Sequence, residues 1–232
     1  MSNIIFSILF GLYPYVCLVI FILGTCLRIN SDPYSVTAKS SQFLTGKTDR
    51  IMFIVGISGF HLGIITILVG HAGGFLTPRE LFLAFGISDA LHAEIAHIIG
   101  GVAGIVTLLS IFILIGRRFF NSRVSFNSSF GDKAVLMLIF IQLLLGLYSI
   151  VNEGGVYNSE AKVVLFGYYF QGLLTLNFDA YKFAMNMPVT SLMHLFLGWT
   201  FFLIFPFTRL IHIITMPVQY VIRRGYQIVR SK

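Results

Sequence analysis

The sequence predicts an all-α integral membrane protein built as a bundle of five transmembrane helices. Of its 232 residues, 56% are hydrophobic and only 11% are charged, whereas a soluble domain usually has about 25% charged residues. The apolar residues form continuous runs of about 20, which is the length that crosses a bilayer as a helix. They do not alternate every second residue, as they would in a transmembrane barrel.

Five apolar runs are long enough to span, and we expect them to form one membrane domain over residues 1–232. The first run has no basic segment before it and no small-residue cleavage site after it, so it is predicted to be a retained span. No internal repeat stands out, which argues against the inverted repeats of transporters. The predicted spans are Ile4–Leu27, Ile51–Leu76, Ile95–Gly116, Ala134–Val151 and Val189–Thr215.

The distribution of positive charge predicts the orientation. With five spans, one side of the membrane holds 13 of the 16 Lys and Arg residues, including the basic tail at 217–232, and the other side keeps Arg79, Lys162 and Lys182. By the positive-inside rule, the amino terminus lies outside and the carboxyl terminus is cytoplasmic. The basic pI therefore reflects membrane orientation, and nucleic acid is not expected as a partner.

A further apolar segment, Val163–Phe178, lies between the fourth and fifth spans. A sixth crossing there would move the basic tail outside and contradict the charge asymmetry. We therefore expect an interfacial or re-entrant helix on the outer surface, with Tyr168 and Tyr169 at the level of the lipid headgroups.

Two spans carry two histidines each, an unusual burden because unpaired polar groups are costly in hydrocarbon. His61 and His71 lie in the second span, and His194 and His212 in the fifth. These spans run in opposite directions, so orientation predicts an outer pair, His71 with His194, and an inner pair, His61 with His212. His194 and His212 are five turns apart and would share one face of a regular helix, although Pro206 lies between them.

Two paired levels of imidazole suit two haems stacked across the membrane, each with both axial positions filled, which favours electron transfer over oxygen chemistry. The pairs are too far apart along the helices to close one tetrahedral zinc site. Covalent haem is not expected, because no C-x-x-C-H motif occurs and Cys17 and Cys26 are predicted to be free thiols. A proton relay in a proton-coupled transporter is the alternative of a different class.

Other polar residues near these levels have two interpretations each. His92 and His97, with Glu94, could hold a metal, but ordinary interfacial polar residues are the favoured interpretation. Arg209, like Arg117 and Arg118, could meet a haem propionate or extend to the cytoplasmic headgroups. Glycines around the histidines allow either a flat macrocycle or tight helix packing; they are Gly63, Gly70, Gly73, Gly74, Gly100, Gly101 and Gly104.

The chain resembles the gamma subunit of respiratory nitrate reductase, a di-haem cytochrome b membrane anchor, nearly end to end. The most specific pieces are FPFTRLIHI at Phe205–Ile213 and MPVQYVIRR at Met216–Arg224. Shorter matches are YPY at Tyr13–Tyr15, AKSS at Ala38–Ser41, FH at Phe60–His61, GH at Gly70–His71, LTP at Leu76–Pro78 and RRFF at Arg117–Phe120.

That resemblance implies five spans with the amino terminus outside, and haem ligands at His61, His71, His194 and His212. It implies quinol oxidation near the outer haem and electron transfer inward to an iron–sulfur beta subunit and a molybdenum alpha subunit that reduces nitrate in the cytoplasm. Gly70 and His92 are the expected quinol contacts, His92 falling near a lysine that family members carry. The expected location is the cytoplasmic (inner) membrane of a prokaryote.

Related di-haem anchors serve sulfite- or disulfide-reducing complexes, so the sequence leaves more than one terminal electron acceptor possible. The first basic loop and the tail Tyr220–Lys232 are expected to dock the cytoplasmic partners, with lipid headgroups as the alternative. We also expect Val163–Phe178 to cover the quinol pocket.

Overall fold

The computed structural model describes residues 3–31, 45–152 and 156–214, and these are helical apart from short connections. Five helical segments of this described part are long and apolar enough to cross a membrane, which confirms the predicted all-α class and the five long apolar helices. They are Asn3–Ser31, Lys47–Leu76, Asp89–Phe120, Phe130–Val151 and Val189–Phe207.

The helices are numbered in chain order. The first long segment consists of α1 (Asn3–Phe6), a π-helical stretch (Ser7–Leu12) and α2 (Tyr13–Ser31), and the others are α3 (Lys47–Leu76), α5 (Asp89–Phe120), α7 (Phe130–Asn152) and α10 (Val189–Ile204). Shorter helices connect them: α4 (Arg79–Ala84), α6 (Ser122–Phe126), α8 (Val156–Leu174) and α9 (Tyr181–Ala184).

Several helices begin or end beyond the predicted boundaries. α3 starts at Lys47 and α5 extends from Asp89 to Phe120, because helical hydrogen bonding continues through polar residues that an apolar count excludes. One such extension is stabilised by an ion pair between Arg117 and Asp49, with Nε and Oδ2 2.7 Å apart. The guanidinium of Arg117 also lies 4.5 Å from the centre of the Phe53 ring.

Small residues bring α3 and α5 together. A Cβ atom on Gly63 would lie 2.8 Å from the carbonyl oxygen of Ala103, and one on Gly59 would collide with Ser110. For Gly63 the structure therefore supports tight helix packing, one of the two predicted roles of the glycines. Apart from the glycine's chain neighbours and its own helix backbone, no atom of the described residues lies within 4 Å of a Cβ placed on Gly70, Gly73 or Gly101.

Neighbouring helices pack in the order α3, α5, α7, α10 and α2, and α8 packs against α5 and α3. In contrast, α3 and α10 make almost no close backbone approach among the described residues. The two histidine-bearing helices are therefore not packed closely together, and the space between them is named here the α3–α10 furrow.

The predicted last span, Val189–Thr215, is not one continuous helix. α10 ends at Ile204, and two short 3₁₀ turns follow at Phe205–Phe207 and Arg209–Ile213. Pro206 has no backbone N–H for the helix, and Thr208 is extended, with its Oγ1 accepting a hydrogen bond from the N–H of Leu210. The prediction that His194 and His212 project from one regular helix is therefore wrong.

Helix α2 supports this break. Arg28 donates from Nη1 to the carbonyl oxygens of Pro206 and Thr208, the second at 2.9 Å. A Cβ on Gly24 would lie 2.9 Å from the Pro206 ring, so α2 approaches the proline as closely as a glycine allows. The guanidinium satisfies carbonyls that the interrupted helix leaves without partners.

The predicted Val163–Phe178 helix is found as α8, which starts earlier and ends at Leu174. Tyr169 is fully buried inside the protein, so its ring does not reach the surroundings of the bundle, and the level at which it lies in the membrane stays a prediction. Its hydroxyl donates to the carbonyl of Phe10 at 2.9 Å and accepts from the indole N–H of Trp199 at 3.2 Å. This aromatic core joins α8 to the first and last long helices.

Basic residues that the predicted orientation puts on one side of the membrane cluster at one end of the described bundle. This end is named here the basic end. Asp132, whose side chain is only 5% exposed, pairs there with Arg209 at 2.8 Å and with Arg118 at 3.7 Å. Arg79 lies at the opposite end, just beyond the end of α3. The basic tail at 217–232 and the AKSS segment lie outside the described residues.

Candidate functional site

The four span histidines meet in two pairs across the α3–α10 furrow. The ring centres of His71 and His194 are 6.2 Å apart, with ring planes inclined by 44°. Those of His61 and His212 are 6.3 Å apart and inclined by 70°. The second pair is the one nearer the basic end, because α3 begins there.

This separation is the one that a shared metal would need. An imidazole nitrogen bonds a transition metal at about 2.0–2.1 Å and lies about 1.1 Å from its ring centre, so two trans imidazoles on one iron have centres roughly 6.3 Å apart. Direct packing of two rings, by contrast, allows any centre distance from about 4.5 to 7 Å. Both pairs have a separation at which two imidazoles could hold one metal ion, although direct packing also allows it, and both lie where their helices are held apart.

Three of the four rings are oriented by hydrogen bonds to backbone carbonyls. His61 and His71 each have Nδ1 2.8 Å from the carbonyl oxygen four residues earlier, that of Ile57 and Ile67 respectively. Nδ1 of His212 contacts the carbonyl oxygen of Arg209. A neutral ring that donates from Nδ1 keeps the lone pair on Nε2, which is the tautomer that ligates a metal.

His194 differs from the other three histidines. Its Nδ1 is buried and has no hydrogen-bond partner among the described residues. Oε1 of Gln142 on α7 is likewise buried without a partner among those residues. Gln142 nevertheless donates from Nε2 to the backbone carbonyl of His194, at 2.9 Å. Sequence reasoning missed Gln142, although a glutamine inside an apolar span is itself a signal of a polar role.

The surroundings leave space beside the histidines. His71 is exposed on the protein surface although it lies in the apolar interior of α3. Its neighbour Gly70 has nothing within 4 Å of a built Cβ among the described residues. On the other side of His71, Phe75 stacks on Phe170 with ring centres 4.2 Å apart. The furrow thus has aromatic and glycine borders that suit a flat, apolar group.

Arg209, a predicted propionate partner, uses its Nε on Asp132. A guanidinium has five N–H donors, so this ion pair leaves others available. Arg117 is almost fully buried beside Asp49, and Arg118 faces Asp132. All three arginines are therefore held by carboxylates at the basic end.

The predicted outer metal alternative finds no support. No group of three or more His, Cys, Asp or Glu side chains in the described ranges is arranged to hold a metal ion. His92 instead stacks on Phe82, with ring centres 4.2 Å apart, and Nε2 of its ring faces Gly74. His97 is five positions after His92, which places the two on different faces of α5.

His92 lines a narrow pocket at the end of the bundle opposite the basic end. Arg79 and Asp89 form a bidentate ion pair on its wall, with Nε 2.9 Å from Oδ1. That hydrogen-bonded carboxylate raises the pKa of the Arg79 guanidinium above its ordinary value, so it stays charged. Gly74 lines the pocket, whereas Gly70, the other predicted quinol contact, does not.

Helix α8 covers this pocket. Val163, Val164, Gly167, Tyr168 and Gln171 contribute to its wall, and Nε2 of Gln171 donates to the carbonyl oxygen of Thr77 at 3.0 Å. The pocket therefore joins the end of α3, the start of α5 and one face of α8. Arg79 and Gln171 were not predicted, since their contacts depend on how distant segments meet.

Comparison with known proteins gives a consistent match over nearly the whole chain. The family model described as nitrate reductase gamma subunit matches residues 6–232. The respiratory nitrate reductase 2 gamma chain of Escherichia coli is 35% identical over 96% of both chains. The nitrate reductase gamma chain of Bacillus subtilis is 31% identical over 97% of this chain and 98% of its own length.

Proposed function

Because the chain belongs to the nitrate reductase gamma subunit family, we propose that it is the di-haem b, quinol-oxidising membrane subunit of a nitrate reductase. The observation that carries this proposal is the spacing of the two histidine pairs, 6.2 and 6.3 Å between ring centres. A transporter relay gives no reason for two separate imidazole pairs, each at a distance at which both rings could hold one haem iron.

His71 and His194 hold the outer haem in this proposal, and His61 and His212 hold the inner haem. When bound, the two haems supply one-electron transfer from quinol at the outer side to the reductase subunits at the cytoplasmic side. The chain itself would supply the imidazole nitrogens that hold the haems, orients three of the rings through backbone carbonyls, and would provide apolar surroundings. Arg209 is the proposed partner of an inner haem propionate, in addition to its ion pair with Asp132.

The pocket beneath α8 is the proposed quinol site. A quinol has an apolar ring and two hydroxyls, and the pocket combines the Phe82 ring with the polar side chains of His92, Tyr168 and Gln171. The imidazole of His92 is the proposed acceptor of a quinol hydroxyl proton. Gly70, which borders open space beside His71 and lies outside the pocket, is proposed to admit the outer haem edge instead of touching quinol.

Orientation follows the positive-inside rule. The basic end faces the cytoplasm, where an iron–sulfur beta subunit and a molybdenum alpha subunit dock, and the quinol pocket faces outside the cytoplasmic membrane of a prokaryote. Protons from quinol are then released outside while electrons leave inward, which adds to the membrane potential. The gamma-chain relatives support nitrate reductase in preference to a sulfite- or disulfide-reducing complex as the partner.

An absorption spectrum of the purified complex tests the proposal. We expect two low-spin b-type haems per chain, both reduced when a quinol analogue is added. A folded chain that carries no haem would contradict the proposal. If a chemical reductant reduced the haems but a quinol analogue did not, the haem assignment would stand and the assignment of quinol as electron donor would be contradicted.

A further inference from the structure

A polar contact between α7 and α10 lies directly behind His194. Gln142 and Gly146 are four residues apart on α7, and His194 and Gly198 are four residues apart on α10, so each pair shares one helix face. The amide nitrogen of Gln142 would lie 3.5 Å from a Cβ on Gly198. The His194 ring would lie 3.2 Å, at Cε1, from a Cβ on Gly146. Each glycine thus leaves room for the polar side chain of the other helix.

Two buried polar atoms at this contact have no hydrogen-bond partner among the residues that the structure describes. They are Nδ1 of His194 and Oε1 of Gln142, and they belong to residues already joined by the hydrogen bond from Gln142 Nε2 to the His194 carbonyl. A buried polar atom without a hydrogen-bond partner destabilises the folded protein. Nδ1 of His194 carries a proton and is a donor when Nε2 is free to bind a metal, and Oε1 of Gln142 is an acceptor. A rotation of the two side chains that joins these atoms is therefore the smallest change that satisfies both.

In the other three span histidines, Nδ1 already has a hydrogen-bond partner in the nearby backbone. The acceptor of each Nδ1 is a carbonyl three or four residues earlier in the chain. His194 is therefore the one of the four, within the part of the chain that the structure describes, whose Nδ1 has no backbone acceptor.

We propose that Gln142 is a positioning residue for the outer haem: its Oε1 accepts a hydrogen bond from Nδ1–H of His194 and so sets the basicity of that axial ligand. This inference rests on the proposed di-haem function. Hydrogen bonding at the remote ring nitrogen makes an imidazole a stronger electron donor, which stabilises the oxidised metal. Gln142 therefore keeps the outer haem potential lower than His194 alone would.

Redox titration of the purified complex, followed by absorption and by the g values of the low-spin haem signals, tests this role. Gln142→Leu removes the acceptor, so the potential of the haem bound by His71 and His194 is expected to rise while the inner haem keeps its value. Gln142→Glu retains an acceptor oxygen and is expected to return the outer potential to the parent value or below it.

The matched control is Thr200→Val, which also removes a polar group from this bundle. Thr200 lies on α10 but bonds to Tyr13 and to the carbonyl of Phe196, so both potentials should stay unchanged. An outer haem potential that is the same in parent, Leu and Glu variants would overturn the inference, as would equal shifts of both haems. Absence of haem from the parent protein would instead overturn the proposed function, so the two failures are distinguishable.

Discussion

The imidazole rings of His71 and His194 face one another with centres 6.2 Å apart, although the helices that carry them barely approach each other. α3 is held by α5, and α10 by α7 and α2, so the furrow between the histidine helices is maintained by their other neighbours. The separation is thus a property of the whole bundle, and substitution of the residues that maintain it should disturb the histidine pairs.

Gly146 controls the space behind the His194 ring. Gly146→Val adds a Cβ 3.2 Å from Cε1 of that ring together with two methyl groups, and a well-packed interior accommodates such additions only by moving the neighbour. We expect loss of the outer haem, or a shift of its spectrum, while the inner haem is retained. Haem content and low-temperature spectra provide the measurement.

Gly101→Val is the control for this substitution, because a Cβ at Gly101 has nothing within 4 Å among the described residues. Both haems should remain in that variant. Equal effects of the two valine variants would mean that added bulk in the membrane, and not contact with His194, causes the loss.

Arg28 stabilises the turn that presents His212. Arg28→Met removes donors to the carbonyl oxygens of Pro206 and Thr208, which should destabilise that turn by about 1–3 kcal/mol. We expect lower occupancy of the inner haem than of the outer haem, measured by pyridine haemochrome content and redox titration. Arg28→Lys keeps the charge but not the planar fork that reaches two carbonyls, so it should restore occupancy only in part.

His92 is expected to act on quinol and not on haem. His92→Leu removes the imidazole from the pocket while preserving apolar contact with Phe82, so kcat/KM for a quinol analogue should fall about tenfold or more. Both haems should bind normally, since His92 lies outside the two histidine pairs. His97→Leu is the comparison on the same helix, and an equal loss of activity there would contradict the assignment.

Asp132 holds two arginines at the basic end. Asp132→Asn weakens ion pairs with Arg209 and Arg118 around a nearly buried carboxylate, and partial exposure of both arginines limits the expected cost to about 1–2 kcal/mol. The exposed pair of Asp179 and Lys182 is the control, since surface pairs contribute about 0–1 kcal/mol. Thermal unfolding in detergent should show a lower midpoint for Asp132→Asn than for Asp179→Asn, and equal midpoints would contradict this account.

Much of this fold was predictable because a membrane imposes simple rules. Helix length, continuous apolarity and the distribution of basic residues were enough to predict the five long helices. The motifs were enough to predict the family, which the comparisons confirm. The order and direction of the spans also predicted which histidines lie near one another. Their role as haem ligands remains a prediction.

Other features depend on contacts between distant segments, which periodicity does not contain. The end of α10 at Ile204 needs Gly24 and Arg28 on α2 as well as Pro206. Burial of Tyr169 results from α8 meeting the first and last long helices. Gln142 is recognisable in the sequence as a polar residue within an apolar span. Its position next to His194, however, depends on how α7 and α10 pack.

The most direct test of the central claim is the haem content of four single variants, each with one span histidine replaced by alanine. We expect two matched classes of haem loss. His71→Ala and His194→Ala should both lose the outer haem and quinol oxidation, and His61→Ala and His212→Ala should both lose the inner haem. A pattern in which His71→Ala resembles His61→Ala, or in which any of the four keeps both haems, would contradict the pairing.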